Sequence, residues 1–132
     1  MPSTSVVLAA VAAGGAIGAT GRYLIGKGLA GFGGTVLSVP AGTLVVNALG
    51  CFLAGLLVFS VDTRSAHSEL LLAFAFTGVL GGFTTFSAFS VETLRLAHSG
   101  VIGLAALNVL LNVFVSLAGV VLGWQCIQAL LR

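Results

Sequence analysis

Thr77-Gly78-Val79-Leu80-Gly81-Gly82-Phe83-Thr84-Thr85-Phe86-Ser87-Ala88-Phe89-Ser90 is a poor helix in the middle of an apolar segment. Three glycines and an adjacent pair of β-branched threonines weaken the helical ladder where a membrane span would cross the midplane. Backbone carbonyls and amides freed there are tolerated in a bilayer only inside protein or beside a wet cavity. The stretch therefore predicts a helix that breaks and resumes, and the rest of the chain has to accommodate that break.

The surroundings are membrane-like. Of 132 residues, 58% are hydrophobic and 6% charged, against roughly 25% charged in an ordinary soluble domain. Five Lys and Arg and three Asp and Glu are too few to solvate a globular surface, to bind nucleic acid or to keep a chain disordered. A bilayer span needs ~20 apolar residues, so the chain has room for four spans and no separate soluble domain. We place them at roughly 6–26, 39–60, 70–98 and 101–131, in one membrane domain covering 1–132. The fold class is all-α, integral to the cell's inner or plasma membrane, with four transmembrane helices and the third broken at the midplane. The first basic side chain is Arg22, so the first segment lacks the positive n-region of a signal peptide and is expected to stay as a helix.

Each span carries a mark of its neighbours. In the first, Gly14 and Gly18 form a GxxxG pair that lets another helix approach closely, and Gly28 to Gly34 predicts a flexible loop or a broken helix end. Pro40 suits the first turn of the second span, where Thr43, Asn47, Gly50 and Ala54 line one narrow face. Lipid would not tolerate Asn47 cheaply, so that face meets protein or water. Asp62, Arg64 and His67 mark a polar loop, with Ser68 a candidate N-cap and Glu69 in the following turn. Gly100 is placed to end the third span. In the fourth, Asn108, Asn112 and Ser116 repeat at i, i+4 and i+8, with Gly119 and Gly123 continuing the face. Spacing alone leaves this track as interhelical glue or as the wall of a wet path. Cys51 and Cys126 read as packed thiols.

Catalysis finds little support. The spans hold no carboxylate pair, the serines and threonines have no evident base, and Gly81-Gly82 is not followed by the lysine of a phosphate loop. Pore-like features form a set instead. The break can offer carbonyls to a cation, and hydroxyls of Thr84, Thr85, Ser87 and Ser90 can donate to an anion. Phe86 and Phe89 share a face, and phenyl rings have electropositive edges.

Three blocks make the chain resemble the Fluc, or CrcB, family of fluoride channels over its whole length: Gly14–Tyr23, Gly42–Phe52 and Gly81–Ser90. The resemblance implies an antiparallel, dual-topology homodimer with two fluoride pores. It implies a structural, non-transported Na⁺ held by the Gly81 and Thr84 carbonyls of each subunit. It also implies Phe86 and Phe89 as pore phenylalanines and Asn47 as an anion-facing amide. Ser87, Ser90, Asn108, Asn112 and Ser116 would line the pore, Arg22 would sit near a vestibule, and Thr85 and Glu92 are left as open positions. The family's role would be to let cytoplasmic fluoride leave. The usual Thr-Phe-Ser-Thr-Phe-Ser reads Thr-Phe-Ser-Ala-Phe-Ser here, so Ala88 removes a hydroxyl unless the asparagines of the fourth span replace it. That departure keeps open a non-conducting role beside a sister chain in a heterodimer.

Other readings compete less well. A small four-helix multidrug or cation exporter needs a membrane-embedded carboxylate, and Asp62, Glu69 and Glu92 all fall towards segment ends. A purely structural membrane subunit has no need of the break. Charge supports insertion both ways: Arg64 and Arg132 lie on one side, Lys27 and Arg95 on the other with Arg22 nearby, so Lys/Arg asymmetry is weak.

Overall fold

The computed structural model describes residues 2–31, 33–60 and 66–132. Asp62 and Arg64, and the side chain of His67, lie outside them. Four helical runs are long and apolar enough to cross a membrane: Thr4–Gly31, Ala41–Ser60, Ser68–His98 and Ile102–Leu130. We label the elements α1 (Thr4–Gly31), β1 (Thr35–Val36), β2 (Val39–Pro40), α2 (Ala41–Ser60), α3 (Ala66–Leu71), a π-helical segment (Leu72–Leu80), α4 (Gly81–Phe83), α5 (Phe86–His98) and α6 (Ile102–Leu130).

Several boundaries differ from the sequence reading. α1 continues through Gly26, Gly28 and Gly31 instead of breaking there. Glycine disfavours a helix by about 1 kcal/mol relative to alanine, but unpaired backbone is far more costly in hydrocarbon, so the ladder persists. Pro40 sits in β2 and α2 opens one residue later, at Ala41. Ser68 lies inside α3, which begins at Ala66, so it is not the cap. Gly100 does end the third run: its φ is +79°, and its N–H donates to the Ala97 carbonyl at 3.0 Å.

Between α1 and α2 lies a two-residue hairpin. Thr35 pairs with Pro40 and Val36 with Val39. Leu37 and Ser38 at the turn both have positive φ, 51° and 66°, the backbone that a type I′ turn requires. Val39 is fully buried and fastens the hairpin to the bundle.

Glycine faces let the spans pack backbone to backbone. A Cβ at Gly14 would strike the Phe74 carbonyl, and one at Gly18 the Val79 carbonyl. The GxxxG pair thus receives the π-helical segment of the same chain. α2 and α6 pack likewise: a Cβ at Gly55 would strike the Val120 carbonyl, one at Gly123 the Phe52 carbonyl, and one at Gly119 would lie 2.9 Å from the Ala48 carbonyl. Much apolar surface stays outside, including Leu8, Ile17, Phe114 and Leu117, as expected of side chains whose solvent is lipid.

The non-helical residues are fewer than the composition of 77–90 predicts. Leu72–Leu80 winds with wider π pitch, Gly81–Phe83 returns to α, and only Thr84 and Thr85 leave the helical region. Their φ/ψ values are −78°/154° and −150°/116°.

Candidate functional site

The site is built around those two threonines. Asn47 on α2 meets Thr85 as a second peptide group would. Its Oδ1 accepts from the Thr85 N–H at 2.8 Å, and its Nδ2 donates to the Thr85 carbonyl at 3.2 Å. The second Nδ2 proton goes to Asn112 Oδ1 at 3.1 Å. Thr85 is buried, and its Oγ1 accepts from the Ala88 N–H at 3.2 Å, capping α5. Gly50 makes room beside it: a Cβ there would strike Cγ2 of Thr84.

This bonding has a consequence for the carbonyls. In an uninterrupted helix Gly81 would receive the Thr85 N–H and Thr84 the Ala88 N–H. Both amides are instead held by side-chain oxygens, of Asn47 and of Thr85. The Gly81 and Thr84 carbonyls have therefore lost their i+4 donors, and Gly81 is exposed. Carbonyl oxygens of this kind suit a small hard cation. Among the described residues no group of three or more His, Cys, Asp or Glu side chains could hold a metal, so backbone oxygens are the donor set that fits one.

Two cavities meet at Thr85. The first, about 280 Å³, is walled by Arg22, Thr43, Val46, Thr85, Ala88 and Glu92, with Gly34 and Pro40 among its remaining lining. Thr43 Oγ1 donates to Glu92 Oε1 at 2.6 Å. Glu92 Oε2 is buried and has no hydrogen-bond partner among the described residues. The second cavity, about 240 Å³, is walled by Asn47, Thr84, Phe86, Phe89, Asn112 and Ser116, with Cys51 among its remaining lining.

The phenylalanines behave oppositely. Phe89 is 7% exposed and Phe86 78%, although their ring centroids lie 5.2 Å apart at 59°. Phe86 thus projects from the chain beside the second cavity. Ser87 Oγ lies 3.2 Å from Thr85 Oγ1, and Ser90 Oγ donates back to the Phe86 carbonyl at 2.9 Å; both serines are exposed.

The polar track of α6 divides. Asn108 is 0% exposed and lines neither cavity. Its Nδ2 donates to Thr93 Oγ1 at 2.9 Å. Asn112 donates to the Asn108 carbonyl and to its Oδ1, both at 3.1 Å. Ser116 lines the second cavity together with Asn112, and of the three it alone is without a hydrogen bond among the described residues. The sequence reading did not single out Thr43 or Thr93 as partners of Glu92 and Asn108. For Thr43 the signal was present, one turn before Asn47 on the same polar stripe; for Thr93 nothing in the spacing pointed across to α6.

Four helical runs long and apolar enough to cross a bilayer, with two cavities that share Thr85 in their walls, define a multi-pass membrane protein. Residues 9–124 match the family described as CrcB-like protein, Camphor Resistance (CrcB), and the chain belongs to that family. A protein of Agrobacterium fabrum (strain C58 / ATCC 33970) named fluoride-specific ion channel FluC is 47% identical over 116 residues, 88% of this chain and 91% of its own. One of Ruegeria sp. (strain TM1040) with the same name is 48% identical over 124 residues, 92% of this chain and 94% of its own. A Haloarcula marismortui protein (strain ATCC 43049 / DSM 3752 / JCM 8966 / VKM B-1809) named fluoride-specific ion channel FluC 2 is 42% identical over 118 residues, 89% and 91% of the two chains.

Proposed function

We propose that this chain is a fluoride-specific ion channel of the plasma membrane, through which cytoplasmic fluoride leaves down its electrochemical gradient. It is a conduit and not an enzyme. The observation that carries the reading is the exposed Phe86 ring standing beside a cavity lined by hydroxyl and amide groups. A small anion is stabilised there by ring edges and neutral donors, so it can cross with little full charge nearby. Such a path favours fluoride, the smallest halide and the strongest hydrogen-bond acceptor.

The path runs from the Arg22 cavity, past Thr85, to the Phe86 cavity. Arg22 draws the anion into the vestibule, and Ser87, Ser90, Asn112 and Ser116 border the aromatic stage. Asn47 serves mainly as a clamp on the break, because both its amide protons are already held. Asn108 braces Asn112 and Thr93 and does not touch the ion.

The working unit is a pair of copies in opposite orientations. The exposed Phe86 and Gly81 of one chain then face those of the other across a two-fold axis, a closed and self-complementary arrangement. The third span is broken near the bilayer midplane, so the two breaks meet. The Gly81 and Thr84 carbonyls of both copies supply oxygens for one resident Na⁺, which holds the subunits together and is not transported. The relatives' shared name argues against the exporter alternative. Homomeric sufficiency and the heterodimer alternative are separated by one preparation: liposomes containing only this purified chain. Fluoride efflux with negligible chloride efflux is expected, and it should fail when Na⁺ is rigorously replaced by a large organic cation. Equal chloride flux overturns the selectivity.

A further inference from the structure

We propose that the outer face of α6 is a phospholipid site: an acyl chain lies in an apolar groove between α2 and α6, and an anionic phosphodiester headgroup is held by Gln125, Gln128 and Arg132. The groove, about 410 Å³, is walled by Ala48, Leu49 and Phe52 of α2 and by Phe114, Ala118 and Leu122 of α6, and no polar side chain lines it. Towards the end of α6 a recess of about 310 Å³ is lined by Trp124, Gln125, Gln128, Ala129 and Arg132. Leu122, Gln125 and Ala129 follow at i, i+3 and i+7, so groove and recess lie along one stripe of the helix. From Phe114 to Gln125 the helix rises roughly 16 Å, close to the hydrocarbon depth of one leaflet, about 15 Å.

The recess has the chemistry of the headgroup level. Trp124, a residue type that settles at the membrane–water boundary, packs on Phe59 with ring centroids 5.8 Å apart. Its indole N–H, the two side-chain amides and the guanidinium have no hydrogen bond among the described residues, and no carboxylate side chain lines the recess. A guanidinium grips phosphate oxygens with two parallel bonds. Arg132 also offsets the negative end of the α6 dipole, which would otherwise repel an anion there. The amides serve the remaining phosphate oxygens. The site is separate from the cavities at Thr85. At about 100° per residue, Leu49 lies roughly 160° around α2 from Cys51, and Ala118 as far around α6 from Ser116; Cys51 and Ser116 line the second cavity. Leu49 and Phe114 are exposed on the outward face, where the surrounding solvent is lipid.

Trp124 is the only tryptophan of the sequence, so intrinsic fluorescence reports on this site alone. The full chain is reconstituted in bilayers mixing phosphatidylglycerol and phosphatidylcholine, with brominated chains on one lipid or on the other to quench the indole. Phosphatidylglycerol should occupy the site about tenfold more readily, the scale of one guanidinium with supporting hydrogen bonds at a phosphate. Arg132→Gln should abolish the preference. Gln125→Leu with Gln128→Leu keeps the charge and should still lower it at least threefold, by about one hydrogen bond. Ala118→Phe fills the groove and should lower it as well, because headgroup and chain bind as one molecule. All three changes are on exposed positions. Equal quenching by the two lipids, or by neither because protein covers the face, overturns the proposal. A preference untouched by the glutamine substitutions reduces the site to diffuse charge attraction and overturns it, and one untouched by Ala118→Phe overturns the groove. Displacement of the brominated lipid by soluble glycerol phosphate would show a site for free anions and overturn the lipid assignment.

Discussion

Asn47 and Thr85, on different spans, are joined by a pair of reciprocal hydrogen bonds of 2.8 and 3.2 Å, so that a side-chain amide stands where the next turn of helix would have been. The break is thereby a bonded structure. The Thr85 N–H and carbonyl are satisfied by α2, and the Gly81 carbonyl is released as a result, while the Thr84 carbonyl is released by the Thr85 side chain. Removing the amide should undo the effects that depend on α2. Asn47→Ala leaves the buried Thr85 N–H and carbonyl without partners, at about 1–3 kcal/mol for each. Flux should fall at least tenfold and the unfolding temperature in detergent should drop. Asn47→Asp keeps the acceptor for Thr85 N–H and loses the donors, so it should fall between wild type and alanine. An alanine variant as stable and as active as wild type would show that Asn47 braces nothing.

Phe86 can be tested apart from the fold, because its ring is 78% exposed in the chain. Phe86→Ile keeps apolar bulk and removes the electropositive edge. Fluoride efflux should fall by about tenfold or more, the scale of ring-edge interactions compounded over two copies. Elution as an intact dimer on size exclusion should be unchanged. Undiminished efflux from that dimer would reduce the ring to packing.

Two glycines of α1, three residues apart, should respond differently. A Cβ at Gly18 strikes the Val79 carbonyl, while one at Gly15 meets nothing within 4 Å. Gly15→Ala should be neutral or raise the unfolding temperature through helix propensity. Gly18→Val should fail to give monodisperse protein. Comparable yields from the two would mean that α1 and the π-helical segment do not pack backbone to backbone.

The four spans were readable because hydropathy needs only ~20 apolar residues and lipid forbids unpaired backbone. The unusual stretch at 77–90 was readable because glycine and threonine weaken a helix locally. What the sequence could not reveal depended on other spans. The π pitch of Leu72–Leu80 accompanies the close seating of Phe74 and Val79 on Gly14 and Gly18, a fit between two surfaces. The confinement of the non-helical residues to Thr84 and Thr85 depends on Asn47 reaching across from α2. Periodicity placed Asn108 with Asn112 and Ser116 on one face, but not which of the three would be enclosed. Glu92 lies in the third span with one oxygen on Thr43 and the other buried, more enclosed than its place towards the segment end predicts.

The reading as a whole turns on Phe86 and Gly81 of one chain being completed by a second, oppositely oriented copy. One copy is biased by lysines added within residues 62–68 and a second by lysines added within residues 28–34. Each is expressed alone and both together in cells loaded with fluoride. Lysine placement fixes orientation, so each copy alone should be silent and the pair should restore fluoride export. Export from either biased copy on its own would contradict the antiparallel pore.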